Sequence, residues 1–96
     1  MATYIMLMHW TDQGIKNVKD SPKRLDAARE VAKKSGCTLG SFHMTIGHYD
    51  AVGMVEAPDD DAMAKFTLMV GSGGNIRTTT LKAFSEDAYR KIMASL

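Results

Sequence analysis

The alternation of apolar and polar positions divides the chain into short, well-bounded elements. From Thr3 to Trp10, Ile5, Leu7 and His9 fall on one side and Tyr4, Met6, Met8 and Trp10 on the other. The run is too short for a stable helix and stops at Thr11-Asp12, which predicts a strand. Both of its sides are mostly apolar, so both are expected to be covered. Thr11 or Asp12 can cap a helical turn reaching Val18, with Ile15 and Val18 on one face. Ser21-Pro22 then reads as a cap and first helical residue. The helix it starts runs to about Ser35, with Leu25, Ala28 and Ala32 as the inward stripe and Val31 beside it. Lys33 and Lys34 suit the negative end of the helix dipole, and Gly36 stops it.

Thr38 to Ile46 predicts a second strand, with Phe42, Met44 and Ile46 on one face and Ser41, His43 and Thr45 on the other. Gly47-His48-Tyr49-Asp50 is a turn, and Ala51 to Ala57 returns as the third strand of an antiparallel hairpin. Asp59 caps a helix carrying Ala62, Phe66, Met69 and Val70, which ends at Gly71-Ser72-Gly73-Gly74. Asn75 to Phe84 is rich in β-branched residues and predicts the fourth strand. Ser85-Glu86-Asp87 caps a final helix, where Tyr89, Ile92, Met93 and Leu96 follow helical spacing.

The order β-α-β-β-α-β-α predicts an α+β, ferredoxin-like domain, a four-stranded antiparallel sheet with helices on one face. Two layers leave the other sheet face bare. The first strand is apolar there, and an exposed apolar face of that size is a liability. A homodimer formed through the sheet faces is therefore expected.

Composition narrows the function classes. The 96 residues are 45% apolar and 24% charged, which fits one globular domain over residues 1–96 and argues against disorder. A net charge of +1, from 12 basic and 11 acidic residues, excludes a polybasic arm. The third strand, Ala51-Val52-Gly53-Met54-Val55, lacks the aromatics of an RNA-recognition sheet, so no nucleic-acid partner is expected. No apolar stretch approaches a membrane span, and no basic residues precede the apolar run Tyr4–Trp10. The expectation is a cytoplasmic protein with no membrane partner. A single cysteine excludes an internal disulfide and a cysteine-rich zinc site. Met8-His9 and His43-Met44 are strand neighbours pointing to opposite faces, so neither pair can hold one ion. No metal and no cofactor is expected. The 8 methionines are spread through the inferred core and interface, where a flexible thioether fills irregular gaps.

Few residues carry candidate chemistry. His9 and His43 could act as acid, base or ligand if their faces border a cavity, with Asp50 orienting a histidine or serving as a general base. The plainer readings are hydrogen-bonded structural histidines and a turn aspartate accepting backbone N–H groups. His48 lies in the turn and is expected to be exposed. Arg77, on one face with Thr79, can grip a carboxylate or phosphate, or simply solubilise a strand. Met8, Trp10 and Tyr49 are candidates to line a ligand site with it. Gly71-Ser72-Gly73-Gly74-Asn75 follows a helix and precedes a strand, the reverse of a phosphate loop, and reads as a helix stop. Cys37 shows no adjacent base to make it a nucleophile.

Gly47-His48-Tyr49-Asp50, followed by Val55-Glu56-Ala57-Pro58-Asp59, resembles the GYD-motif family. Trp10-Thr11-Asp12-Gln13-Gly14, Gly74-Asn75-Ile76-Arg77-Thr78 and Thr80 to Phe84 extend the resemblance over essentially the whole chain. The family is similar to dimeric α/β-barrel proteins, ferredoxin-like domains that pair through their sheets. That wider group includes cofactor-free monooxygenases, isomerases, haem proteins and small-molecule binders. The resemblance assigns no catalytic residue, and Gly47, Tyr49 and Asp50 carry over only as motif members. Cys37 departs from the pattern, standing where such proteins often have a second glycine. The resulting expectation is a protein that binds a small, partly apolar molecule in or beside the barrel. The alternatives are a cofactor-independent monooxygenase or isomerase using a His/Asp pair, and a structural or regulatory dimer without a ligand.

Overall fold

The architecture comes from a computed structural model that describes residues 1–96. It contains β1 (Ala2–Trp10), α1 (Asp12–Lys16), a 3-10 turn (Val18–Asp20), α2 (Ser21–Lys34), β2 (Thr38–Met44), β3 (Ala51–Ala57), α3 (Asp60–Ser72), β4 (Ile76–Ala83) and α4 (Glu86–Ala94). The strands form one antiparallel sheet in the order β2-β3-β1-β4. This is the ferredoxin-like α+β fold that the alternation predicts.

Local chemistry explains most boundaries. Thr11, Asp59 and Ser85 each accept a backbone N–H of the first helical turn, from Gly14, Ala62 and Ala88 respectively. Gly36 ends α2 at φ +79, a conformation that costs other residues a Cβ clash. The entry to α2 differs from expectation. The helix starts at Ser21, and Asp20 in the cap position makes no side-chain hydrogen bond. The preceding 3-10 turn, closed by Asp20 N–H donating to the Asn17 carbonyl, already supplies the curl that a cap would set.

β2 also differs. It ends at Met44, and Ile46 is 98% exposed instead of sharing a buried face with Phe42. Within it, Leu39 pairs with Val55 and Phe42 with Gly53, so an extra residue is accommodated by a bulge. The bulge keeps both Leu39 and Phe42 on the helix side. Arg29 of α2 donates to the carbonyls of Leu39 (3.5 Å) and Gly40 (3.0 Å), holding the irregular backbone.

The core lies between sheet and helices. Tyr4, Met6 and Met8 of β1 and Val55 of β3 meet Phe66 and Met63 of α3 and Ala32 of α2. It is small, with 12 of 96 residues buried. The opposite sheet face carries Ile5, Leu7 and Val52, half-buried, with Met54 and Leu81 exposed. Nothing within the chain covers it, so the two-sided cover expected for β1 is only half supplied. No helix is long and apolar enough to cross a membrane.

A clasp ties the β1–α1 corner to the α3–β4 loop. Thr11 N–H donates to the Asn75 carbonyl (3.0 Å) and Thr11 Oγ1 to the Gly74 carbonyl (2.6 Å). Gln13 Nε2 donates to Asn75 Oδ1 (3.1 Å). Gly14 is buried under this loop, and a Cβ built on it would stand 1.9 Å from the Asn75 carbonyl oxygen. The position therefore demands glycine for close approach, although its φ is unexceptional. Gly14→Ala is expected to lower stability by about 3 kcal/mol, read as a shifted urea midpoint with an unchanged slope.

Candidate functional site

The helix layer does not close fully on the sheet. Between α2 and the sheet lies a cavity of about 430 Å³. Its floor is Met6, Met8 and Ala51, continued by Leu39 and Phe42 across the bulge, and its roof is Leu25, Ala28 and Val31 of α2. Phe66 and Val70 enter from α3. Trp10, Val18, Gly73, Asn75 and Ile76 form the end next to the clasp. The space exists because α2 presents Ala27 and Ala28 where larger side chains would fill it.

Three polar side chains of the lining are engaged within the chain. Arg24 donates to the carbonyls of Asn17 (2.9 Å) and Gly14 (3.4 Å). Asp50 Oδ2 accepts Trp10 N–H at 2.9 Å. Asn75 accepts from Gln13 and donates to the Gly73 carbonyl. No buried side-chain polar atom lacks a partner. A ligand here would meet apolar surface first.

On the other side of the sheet, at the same end, the turn between β2 and β3 builds an aromatic cluster. Gly47 takes φ +140, Thr45 N–H donates to the Asp50 carbonyl (2.9 Å), and Asp50 N–H donates to the Met8 carbonyl (2.8 Å). Tyr49 is thereby laid against His9 with ring centroids 4.8 Å apart, and His48 meets both edge-on. His9 Nδ1 is 4.0 Å from Asp50 Oδ2, beyond hydrogen-bond reach. Arg77 is register partner to His9, exposed and without an acidic partner.

The residues singled out in the sequence therefore fall into two groups. Met8 and Trp10 line the cavity, and Asp50 reaches it while holding the β1 backbone. His9, Tyr49 and Arg77 gather on the open side. His43 is exposed on β2 opposite Val52, with β3 separating its strand from that of His9. The cavity walls from α2 and α3, Leu25, Val31, Phe66 and Val70, read in sequence as ordinary core. The one available signal was the small pair Ala27-Ala28, the second of them within the inward stripe.

A third polar cluster stands at the far end of the sheet. Tyr4 Oη donates to Asp60 Oδ1 at 2.5 Å, and Lys82 Nζ lies 3.2 Å from the same oxygen. The hydrogen bond to Asp60, with burial and the carboxylate charge, pushes the Tyr4 hydroxyl up to about 12. Asp60 is held below the usual carboxylate range by Tyr4 and then by Lys82. Burial raises the Cys37 thiol, the opposite of an activated nucleophile.

Comparison with known proteins places this geometry. The GYD domain profile matches residues 4–93. A Thermus thermophilus protein described as a glutamine synthetase and cystathionine beta-lyase binding protein is 32% identical over 84 residues, covering 86% of this chain and 88% of its own. The structure of FFRP-DM1 is similar with a TM-score of 0.62 at 20% identity, over 88% of this chain and 100% of that one. The leucine response regulatory protein LrpA of Mycobacterium tuberculosis gives 0.67 at 17% identity, over 88% of this chain and 51% of its own. These two likenesses establish the fold.

The Tyr4–Asp60 pair makes stability pH-dependent at both extremes. Unfolded tyrosine ionises near 10, so Tyr4 contributes stability that is intact below that pH and lost as pH rises through about 12. Asp60, depressed in the fold, contributes above the ordinary carboxylate range and loses its contribution on acidification. Thermal midpoints are expected to fall between these alkaline values, and the fall to shrink in Tyr4→Phe. In an ultraviolet titration one of the 3 tyrosines should ionise late.

Proposed function

The chain belongs to the GYD-domain family, and on that premise we propose that it is a binding protein whose ligand is a small, uncharged, largely apolar molecule held between α2 and the sheet. The observation that carries this reading is the cavity itself, about 430 Å³ with 15 of its 21 lining residues hydrophobic. Concave, mostly apolar space of this size is what small-molecule sites use. Arg24, Asp50 and Asn75 each hold a partner within the chain, so apolar contact supplies most of what a ligand would gain there. The protein is taken to work as a single domain over residues 1–96, paired with a second copy through the open sheet face, in the cytoplasm.

Catalysis fits less well. A monooxygenase or isomerase built on His9 and Asp50 would need His9 to act on a ligand that the cavity holds on the opposite side of the sheet. Asp50 is also committed to the Trp10 amide. His43 adds no partner to either group. A second reading is favoured by the name of the Thermus relative. In it the chain docks on another protein, and the open face with the His9–Tyr49–His48 cluster is the surface that would do so.

Trp10 is the single tryptophan and lines the cavity, so it reports occupancy directly. Titration with primary alcohols from hexanol to decanol should give saturable changes in its fluorescence. Affinity should rise roughly fourfold per added CH₂, the equivalent of about 0.8 kcal/mol. Ala28→Phe should fill the space and weaken decanol binding at least tenfold, to order of magnitude, with the fold retained. Absence of a saturable signal in the unsubstituted protein would count against the cavity as a ligand site.

A further inference from the structure

The wall of the cavity is uneven in its chemistry. On the sheet, Trp10 and Asp50 stand at the clasp end. Met8 with Ala51, then Met6 with Phe42, and last Leu39 follow along the strands. The helix above runs the same way. Arg24, near its start, reaches the Gly14 and Asn17 carbonyls of the clasp corner, and Arg29, farther on, reaches the β2 bulge. Every hydrogen-bonding side chain of the wall belongs to the clasp end: Trp10, Ser21, Arg24, Asp50 and Asn75. Towards the bulge the wall is apolar. An occupant lying along the cavity therefore meets polar groups at one end only.

Three polar atoms at that end make no hydrogen bond within the chain. They are the Ser21 hydroxyl, the Trp10 indole N–H and Asp50 Oδ1, since Asp50 spends Oδ2 on the Trp10 amide. Their residues are half-buried, and every fully buried side-chain polar atom is paired, so these three open onto accessible space. Together they offer one donor, one acceptor and one hydroxyl that is both. Arg24 spends both terminal nitrogens on carbonyls, whereas Asp50 keeps an oxygen, so this end favours a head group that donates. We propose that the ligand of the cavity is an alcohol, its single hydroxyl placed among Ser21, Trp10 and Asp50 and its apolar body running under α2 towards the β2 bulge. A hydroxyl donates to Asp50 and accepts from Trp10 or Ser21. An ether or a carboxylate only accepts, and an ammonium only donates. A site built round a hydroxyl rejects an isostere without one, because its own polar groups are then left unpaired. This inference rests on the cavity being a ligand site and adds the group that orients the ligand in it.

The test compares octanol with heptyl methyl ether, equal in heavy atoms but lacking the hydroxyl donor, by calorimetry and Trp10 fluorescence. Octanol should bind about tenfold more tightly than the ether. Asp50→Asn keeps an oxygen for the Trp10 amide but replaces the remaining acceptor by a donor, so the preference for octanol should fall to about threefold or less. Ser21→Ala should weaken octanol by about threefold. The Ser21 side chain bonds nothing in the chain, so its loss leaves the fold intact, and circular dichroism checks both variants. Equal binding of octanol and ether by the unsubstituted protein overturns the alcohol and leaves the cavity standing as a ligand site. Octanoate or octylammonium binding more tightly than octanol does the same. Saturable binding of none of these overturns both readings. An octanol preference and affinity unchanged in both variants overturns the placement of the hydroxyl, and the proposal with it.

Discussion

The close approach of Gly14 to the Asn75 carbonyl is the constraint on which the rest of the structure depends. Only a residue without a Cβ lets the β1–α1 corner lie under the Gly73–Asn75 loop. Once there, Thr11 and Gln13 take up the loop's carbonyls and the Asn75 side chain. That contact fixes where α1 ends, and the 3-10 turn then sets where α2 begins. Arg24 reaches back from α2 to the Gly14 and Asn17 carbonyls. Farther along α2, Arg29 grips the β2 bulge. Hydrogen bonds from Arg24 and Arg29 thus set how α2 lies over the sheet, and the small Ala27 and Ala28 between them leave space beneath it.

That arrangement explains why so small a domain tolerates an interior space. Burial of 12 residues gives a modest core, and an apolar void forfeits the dispersion contacts its lining would otherwise make. Anything that fills the cavity or covers the open face stabilises the folded state by mass action. Both proposals describe the same shortage of apolar contact, met on one side of the sheet by a ligand and on the other by a second copy. The histidine–tyrosine cluster sits on the second side. Its rings are placed by the turn geometry of Gly47 and Asp50, which makes the motif first of all a device for joining the β2–β3 turn to the end of β1.

Much of this was legible in the chain. Period-two alternation marked β1, β3 and β4, and the caps at Thr11, Asp59 and Ser85 follow from local hydrogen bonding alone. The β2 bulge was not legible, because Leu39-Gly40-Ser41-Phe42 breaks the alternation and only pairing with Val55 and Gly53 shows that both apolar residues face the helices. The need for Gly14 was hidden for the same reason: its neighbour is Asn75, far along the chain. The division of the candidate site could have been read. Alternation on β1 already puts Met8 and Trp10 opposite His9, so grouping them with Tyr49 and Arg77 overlooked the strand's own period. The α4 stripe was legible in its spacing, and it stays exposed in the single chain.

The most direct test of the central claim, that the space under α2 is a site for an uncharged apolar ligand, uses the methionines as reporters. Met6, Met8 and Met44 line the cavity, whereas Met54, Met69 and Met93 lie on other surfaces. In a methyl-resolved NMR titration with decanol, the account predicts saturable shifts at Met6, Met8 and Met44, with the other three unmoved. Shifts led by Met54 or Met93, or no saturable shift at all, would contradict it.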